Sequence, residues 1–264
     1  MPLGGADAQR TAHQSTAKRF DPVTLEILWR RLISIVDEAD ATVARTAFSS
    51  LLRDAHDYTC MFTDRQGREL AQGSFATPGQ SGAMALGIKK LVRGFPAGSF
   101  QPGDVFITND PWALAGHLND VCVLSPIFYL DRPVGFTACV LHHSDIGGRV
   151  ASDNHEVFEE GLLIPVVKLY DGGRLNEAVL EMIRWNVRTP EQVTGDIRSQ
   201  VAPITFAPSR SAACFPSTGW TGWTSWPTRS SPAAKPACAP ASPWRRRAYT
   251  GPRARSSRWR GAPI

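Results

Sequence analysis

No acidic residue follows Asp196, although 24 Asp and Glu lie at or before it in this 264-residue chain. Up to Asp196 there are 18 Lys and Arg, a net charge of −6; beyond it eleven Lys and Arg stand alone at +11. The basic balance therefore belongs to the tail and says nothing about partners of the front part. No run of 18 apolar residues exists, which excludes a membrane-spanning helix. The first 20 residues lack the apolar stretch of a secretory signal, so residues 1–19 read as a disordered leader. Five cysteines occur without C-x-x-C spacing, a pattern that fits reduced thiols and a cytoplasmic location. Gly82 and Gly87 in GAMALGIKK do not lead into Gly-Lys-Ser/Thr. No phosphate loop is present there, and no residue is assigned to cofactor binding.

From Pro203 onward there is no Leu, and Ile204 and Ile264 are the only Ile. Ten of the 20 prolines and five of the eight tryptophans fall in this stretch. A segment without aliphatic residues has no face to bury, so residues 203–264 are predicted to be disordered. Two readings of this basic Pro/Arg/Trp/Ser-rich tail compete. It is a nucleic-acid arm, with Arg for phosphate and Trp for stacking, or an out-of-frame translation of a GC-rich gene. Lack of periodicity and the abrupt onset inside a promising helix favour the second, and no specific nucleic-acid partner is expected. The encoding DNA tests this: another frame should continue with Leu and Glu downstream of codon 202.

Residues 20–202 read as one domain. Asp21-Pro22 supplies an N-cap and a first-turn proline. Leu25, Leu28, Leu32, Ile35, Ala39, Val43 and Ala47 then recur at helical spacing to about Phe48. Strands are expected at 58–63, 69–72 and 103–110, and helices at 81–94, 176–186 and from Glu191 to the composition break. Residues 162–170 read as a short buried segment. The clearest pair is Val121–Tyr129 and Val134–His142, rich in Val, Ile, Phe and Thr around a turn at 130–133. Centred between Asp131 and Arg132, this hairpin places Val121 opposite His142 and Asp120 opposite His143. A one-residue slip exchanges the two histidines. Cys122 and Cys139 come out as near cross-strand neighbours and read as packing. The fold class is α+β: an N-terminal helix, then mixed or antiparallel strands with short helices, and a disordered C-terminal tail.

Three of six histidines, His117, His142 and His143, gather at one end of this hairpin with Asp120 and Asp145, and Asp110 lies close in sequence. Imidazoles and carboxylates converging from several loops suit a divalent Mn, Fe or Zn ion. The same residues also suit a plain role, capping a strand and a turn. His56 and Asp57 read first as turn chemistry and second as the edge of a site. His155 reads as solvated, the run Glu156, Glu159 and Glu160 reads as an exposed helix face, and Glu160-Gly161 reads second as the end of a loop over the site.

The segments DPVTLEILWRRL, HDYTCMFTDRQGRELAQG, GDVFITNDP, GHLNDVCVLSPIF, HHSDIGG, EEGLLIPVVKL and NVRTPEQVTGDIRSQVA span about 21–202. In this order they resemble the hydantoinase B/oxoprolinase family. The resemblance implies a B-type subunit of an ATP-dependent hydrolase that opens cyclic amides. ATP is then bound by an actin-like A-type partner subunit, and the metal is manganese, with zinc or iron as alternatives. The family's motifs fall on Asn109-Asp110-Pro111, Gly116-His117-x-x-Asp120 and His142-x-x-Asp145-Ile146-Gly147-Gly148. Carried over, His117, Asp120 and His142 are the ligands, while Asp110, His143 and Asp145 are alternative ligands or groups that orient the imidazoles. No catalytic residue is assigned. The alternative within the resemblance is a subunit of an acetone- or acetophenone-type ATP-dependent carboxylase; outside it, a nucleic-acid-binding protein acting through the tail. Family members are about twice this length or more, so this chain is expected to be truncated and inactive alone.

Overall fold

The computed structural model describes residues 21–214 except 97, 115, 130, 150 and 152, with side chains to residue 206. The expectations for a leader at 1–19 and for residues 215–264 lie outside the described residues. Helix α1 (Pro22–Thr46) begins where the Asp21 carboxylate accepts the Val23 and Thr24 N–H groups. These are two of the donors that a helix start leaves unpaired. Its buried stripe is Leu28, Leu32, Ile35, Val36, Ala39, Asp40 and Val43. A short helix α2 (Ser50–Asp54) leads into strands β1 (Tyr58–Asp64) and β2 (Glu69–Gln72). Helix α3 (Pro78–Gly94) starts one turn earlier than Ser81, with Pro78 taking the first-turn position that tolerates its missing N–H. Then come β3 (Val105–Thr108), β4 (Asp120–Tyr129), β5 (Arg132–His142), α4 (Val157–Glu160), β6 (Val167–Asp171), β7 (Arg174–Leu175), α5 (Glu177–Asn186) and α6 (Pro190–Cys214).

The strands form one seven-stranded sheet in the order β2-β1-β5-β4-β3-β6-β7, every neighbouring pair antiparallel. The fold is α+β, as the sequence predicts, and the strand pairing is purely antiparallel. Strand alternation sends Val121, Val123, Cys139 and Leu141 to the face covered by α1, α5 and α6. Cys122, Leu124, Ala138 and Val140 go to the other face, where Met84 and Ile88 of α3 cover them. Both faces of the central strands are therefore dry, which explains why they read as near-continuous apolar runs. Among the described residues no helix is long and apolar enough to cross a membrane.

Three details differ from the sequence reading. The β4–β5 register is shifted by one: Asp120 pairs with His142, and Val121 with Leu141. The turn is tighter than expected. Tyr129 already pairs with Arg132, Asp131 takes a left-handed φ of 59°, and a bulge at Val134 resets the ladder. Cys139 lies opposite Val123 and, on its other side, opposite Cys60, whereas Cys122 pairs with Val140 and faces the α3 side. Finally, α6 does not stop at Ala202. Ile197, Val201 and Ile204 continue one apolar stripe, Ile204 is 1% exposed, and its carbonyl accepts the Thr137 hydroxyl at 2.9 Å. Composition averaged over the tail hides this last turn, which a stripe spaced four and three residues apart carries.

Candidate metal centre

Alternation decides which side chains meet. Asp120 and His142 share parity with Cys122 and Val140, so both face α3 at the end of the β4–β5 ladder. His142 Nδ1 lies 3.0 Å from Asp120 Oδ1, and His117 Nε2 lies 3.4 Å from Asp120 Oδ2. The two imidazoles stand edge to face, centroids 5.0 Å apart. One donor atom from each of the three residues falls within a 4.8 Å span. Asp120 is buried at 3% side-chain exposure, His142 is 27% and His117 45% exposed, so the cluster opens to solvent on the His117 side. The Asp120 hydrogen bond raises the His142 pKa above its ordinary value of 6.5, against partial burial, which pushes it down; the charges of Asp120 and Asp57 add to the rise.

The loop that carries His117 is pinned at several points. Leu118 N–H donates to Glu160 Oε2 at 2.9 Å, and Leu118 C=O accepts from Asn109 Nδ2 at 2.8 Å. Asn119 C=O accepts the His143 N–H at 2.8 Å, and its side-chain amide donates to His143 C=O at 2.7 Å. Asn109 is fully buried and also binds Leu162 C=O and Ile164 N–H, so the Asn-Asp-Pro segment acts as a staple between loops.

The other three candidates are not brought into the cluster. His143 points through the sheet to the opposite face, where its Nε2 meets Gln200 Oε1 at 3.3 Å and burial lowers its pKa. Its Nδ1 has no hydrogen-bond partner among the described residues. Asp145 accepts from the N–H groups of Gly147, Arg188 and Thr189 and pairs with the Arg188 guanidinium at 3.0 Å. Asp110 caps its own turn through Trp112 N–H at 2.9 Å. Gln80, in the first turn of α3, does reach the cluster, with Nε2 3.3 Å from Asp120 Oδ1 and 3.1 Å from Asp57 Oδ1. Nothing in the motif spacing flagged Gln80. Asp57, read first as turn chemistry, is next to the site, while His56 turns away to the Tyr58 hydroxyl. Glu160 does end a loop beside His117, through its bond to Leu118.

The donor set fits a divalent cation. Nitrogen and oxygen ligands about 2.0–2.2 Å from one ion lie roughly 3–3.5 Å from each other. The 3.0 and 3.4 Å separations match that spacing. Two imidazoles and one carboxylate form a borderline-hard set that leaves the metal's identity open.

Fold and cluster together define a class: an antiparallel α/β/α protein carrying a His₂–Asp group at a strand end. The hydantoinase B/oxoprolinase family profile matches residues 21–225, and the chain belongs to that family. The match runs past Pro203, further than the quoted segments. Caprolactamase subunit beta from Pseudomonas jessenii is 34% identical over 184 residues, which are 68% of this chain and 31% of that one. The crystal structure of the ATP-dependent caprolactamase from the same organism superposes with a TM-score of 0.66 at 30% identity, over 76% of this chain and 35% of that chain. Acetone carboxylase in a nucleotide-free structure gives 0.70 at 21% identity, over 75% and 27%, a likeness of fold. The chain spans about a third of the length of the relatives that match it at 32–35% identity, and 13–15% of the length of the 5-oxoprolinases it resembles.

Proposed function

We propose that this chain supplies the metal-binding N-terminal part of a B-type subunit in an ATP-dependent enzyme that opens cyclic amides such as hydantoins or 5-oxoproline. The observation that carries the reading is the convergence of His117, Asp120 and His142 at one solvent-facing strand end. These three residues are the proposed ligands, manganese is the first choice of ion, and zinc or iron are alternatives. A bound divalent ion supplies Lewis acidity for an amide carbonyl or for water. The protein's own groups set the conditions. Asp120 is a buried carboxylate, and burial of a charge favours a cation beside it. His142 must release its extra proton to offer a lone pair. The nitrogen that would be the ligand is Nδ1, 3.0 Å from Asp120 Oδ1, so its hydrogen bond to that oxygen aims the ring in the metal-free chain and is given up when an ion binds. His117, half exposed, is the ligand on the side of the cluster that is open to solvent.

ATP chemistry falls to an actin-like A-type partner, in keeping with the absence of a Gly-Lys-Ser/Thr loop in this sequence and with the ATP-dependent caprolactamase among the similar structures. The buried free thiols Cys60, Cys122 and Cys139 support a reducing, cytoplasmic setting. The test has two arms. Metal analysis of the purified chain should give about one equivalent of Mn²⁺ after loading, and His117→Ala should lose most of it; equal content in both removes His117 from the site. Co-expression with the neighbouring actin-like subunit, assayed on hydantoin and 5-oxoproline with and without ATP, should give turnover only when the rest of the B-type subunit is supplied. Turnover by the 264-residue chain at a full-length relative's rate would overturn the expectation of an inactive fragment.

A further inference from the structure

We propose that Gln80 is a positioning residue of the metal centre, its amide joining the Asp57 and Asp120 carboxylates and setting which Asp120 oxygen faces His117. This rests on reading His117, Asp120 and His142 as ligands. Gln80 is 4% exposed, on the α3 face of the sheet, and every polar atom of its side chain is engaged. Its Oε1 accepts the Thr59 hydroxyl at 3.1 Å. Its Nε2 spans Asp57 Oδ1 at 3.1 Å and Asp120 Oδ1 at 3.3 Å.

Two independent observations fix which end of the amide faces which way. Carboxylates only accept, so the NH₂ end must face Asp57 and Asp120. The Thr59 oxygen already accepts the Thr77 N–H at 3.1 Å, which leaves its single O–H for Gln80 Oε1. The chain of donors therefore runs Thr77, Thr59, Gln80 and then both aspartates without a reversal.

The consequence falls on Asp120. Its Oδ1 receives both Gln80 Nε2 and His142 Nδ1, while Oδ2 turns to His117 Nε2. Rotation of that carboxylate would break two hydrogen bonds on one oxygen. Gln80 also separates two like charges in a buried corner, where a Glu would add a third acceptor and a Lys would compete with the cation. A neutral group with two N–H donors is the side chain that meets both demands. Networks that orient first-sphere ligands typically weaken metal binding about 10–100-fold when removed.

The experiment uses the full 264-residue chain and Mn²⁺ alone. Binding constants and Mn²⁺ electron paramagnetic resonance spectra are compared for the unmodified chain, Gln80→Met and Thr59→Val, well below each melting temperature. Gln80→Met keeps length and volume but removes both donors. At least tenfold weaker Mn²⁺ binding, with a changed spectrum at saturation and a folded circular-dichroism signature, is the expected result. An unchanged constant and spectrum would overturn the inference. Should Gln80→Met not fold, Thr59→Val decides: it leaves Gln80 in place but frees the amide to turn, and about threefold to tenfold weaker binding is expected, whereas identical binding refutes the role. No Mn²⁺ on the unmodified chain would instead sink the metal reading, and the positioning role with it.

Discussion

Asp120 and His142 are directly opposed across the β4–β5 ladder, with Oδ1 and Nδ1 3.0 Å apart. The next residue, His143, has the other parity and sits in the core against Gln200. Adjacent histidines thus have separable roles. His142→Ala should abolish most metal loading. His143→Leu should leave loading intact and cost about 1–2 kcal/mol of stability, because Gln200 Oε1 loses its donor inside the core. Metal content by mass spectrometry and urea unfolding distinguish the two. Loss of metal in His143→Leu with an unchanged urea midpoint would contradict the assignment.

The His142–Asp120 pair also sets opposite pH trends for the metal-free and loaded states. Asp120 raises the folded His142 pKa above 6.5. In the metal-free chain the pair's stabilisation is fully present below the unfolded pKa and is lost as pH rises through the raised folded value. Metal loading runs the other way, since a proton and an ion compete for one imidazole. Occupancy at a fixed Mn²⁺ concentration should therefore fall on acidification, and the raised His142 pKa makes the proton a stronger competitor than at an ordinary histidine. Asp120→Asn should weaken metal binding at every pH and remove the low-pH stabilisation of the metal-free chain. Midpoints of unfolding between pH 5 and 8, with and without Mn²⁺, check both signs; parallel trends would count against the pair.

Asp145 predicts a purely structural phenotype. Burial acts to raise its pKa, but the N–H groups of Gly147, Arg188 and Thr189 and the Arg188 side chain outweigh it, and the net shift is downward. A depressed carboxylate stabilises above its unfolded pKa, and that contribution disappears as pH falls through the folded one. Asp145→Ala strips three backbone donors and a guanidinium of their acceptor at the start of α6. A loss on the order of 3 kcal/mol at pH 7 is expected, shrinking below about pH 4, with Mn²⁺ content retained. Metal loss without destabilisation would return Asp145 to the site.

How much of this was legible in the sequence follows from period and distance. The α1 stripe, the Asp21 cap and the β1–β2 hairpin depend on neighbours within a few residues, and they stand within a residue or two of where patterning places them. The β4–β5 pairing was visible, but its register depended on an Asp131 in left-handed conformation and a bulge at Val134, neither of which changes the apolar alternation. That single shift decides between His142 and His143, a choice the family motifs made and the hairpin estimate did not. Gln80 was out of reach, since it meets Asp120 across 40 residues through tertiary packing. The Ile204 turn was masked because tail composition outweighed one well-spaced stripe.

Asp40 gives the last prediction. It lies on the buried stripe of α1, where its Oδ1 accepts the Cys60 N–H at 3.2 Å. The backbone at Gly73 makes room for it: a Cβ there would fall 1.7 Å from Asp40 Oδ2. Burial pushes the Asp40 pKa from 3.8 up to about 7, only partly offset by the Cys60 N–H. The sign follows from the protonated state being favoured in the fold. Asp40 costs least below the unfolded pKa near 3.8, the cost grows as pH rises towards 7, and it is constant above that. A shift of this size corresponds to a few kcal/mol as an upper bound, about 1.4 kcal/mol per pKa unit. Asp40→Asn keeps an oxygen for the Cys60 N–H and removes the charge, so it should stabilise the chain at pH 8 and have little effect at pH 4. Gly73→Ala should destabilise at both values, because the new methyl competes for the carboxyl's space whatever its charge. Urea unfolding at the two pH values reads all three proteins. A stabilisation by Asp40→Asn that is equal at pH 4 and pH 8 would show that side-chain volume, not ionisation, governs this position.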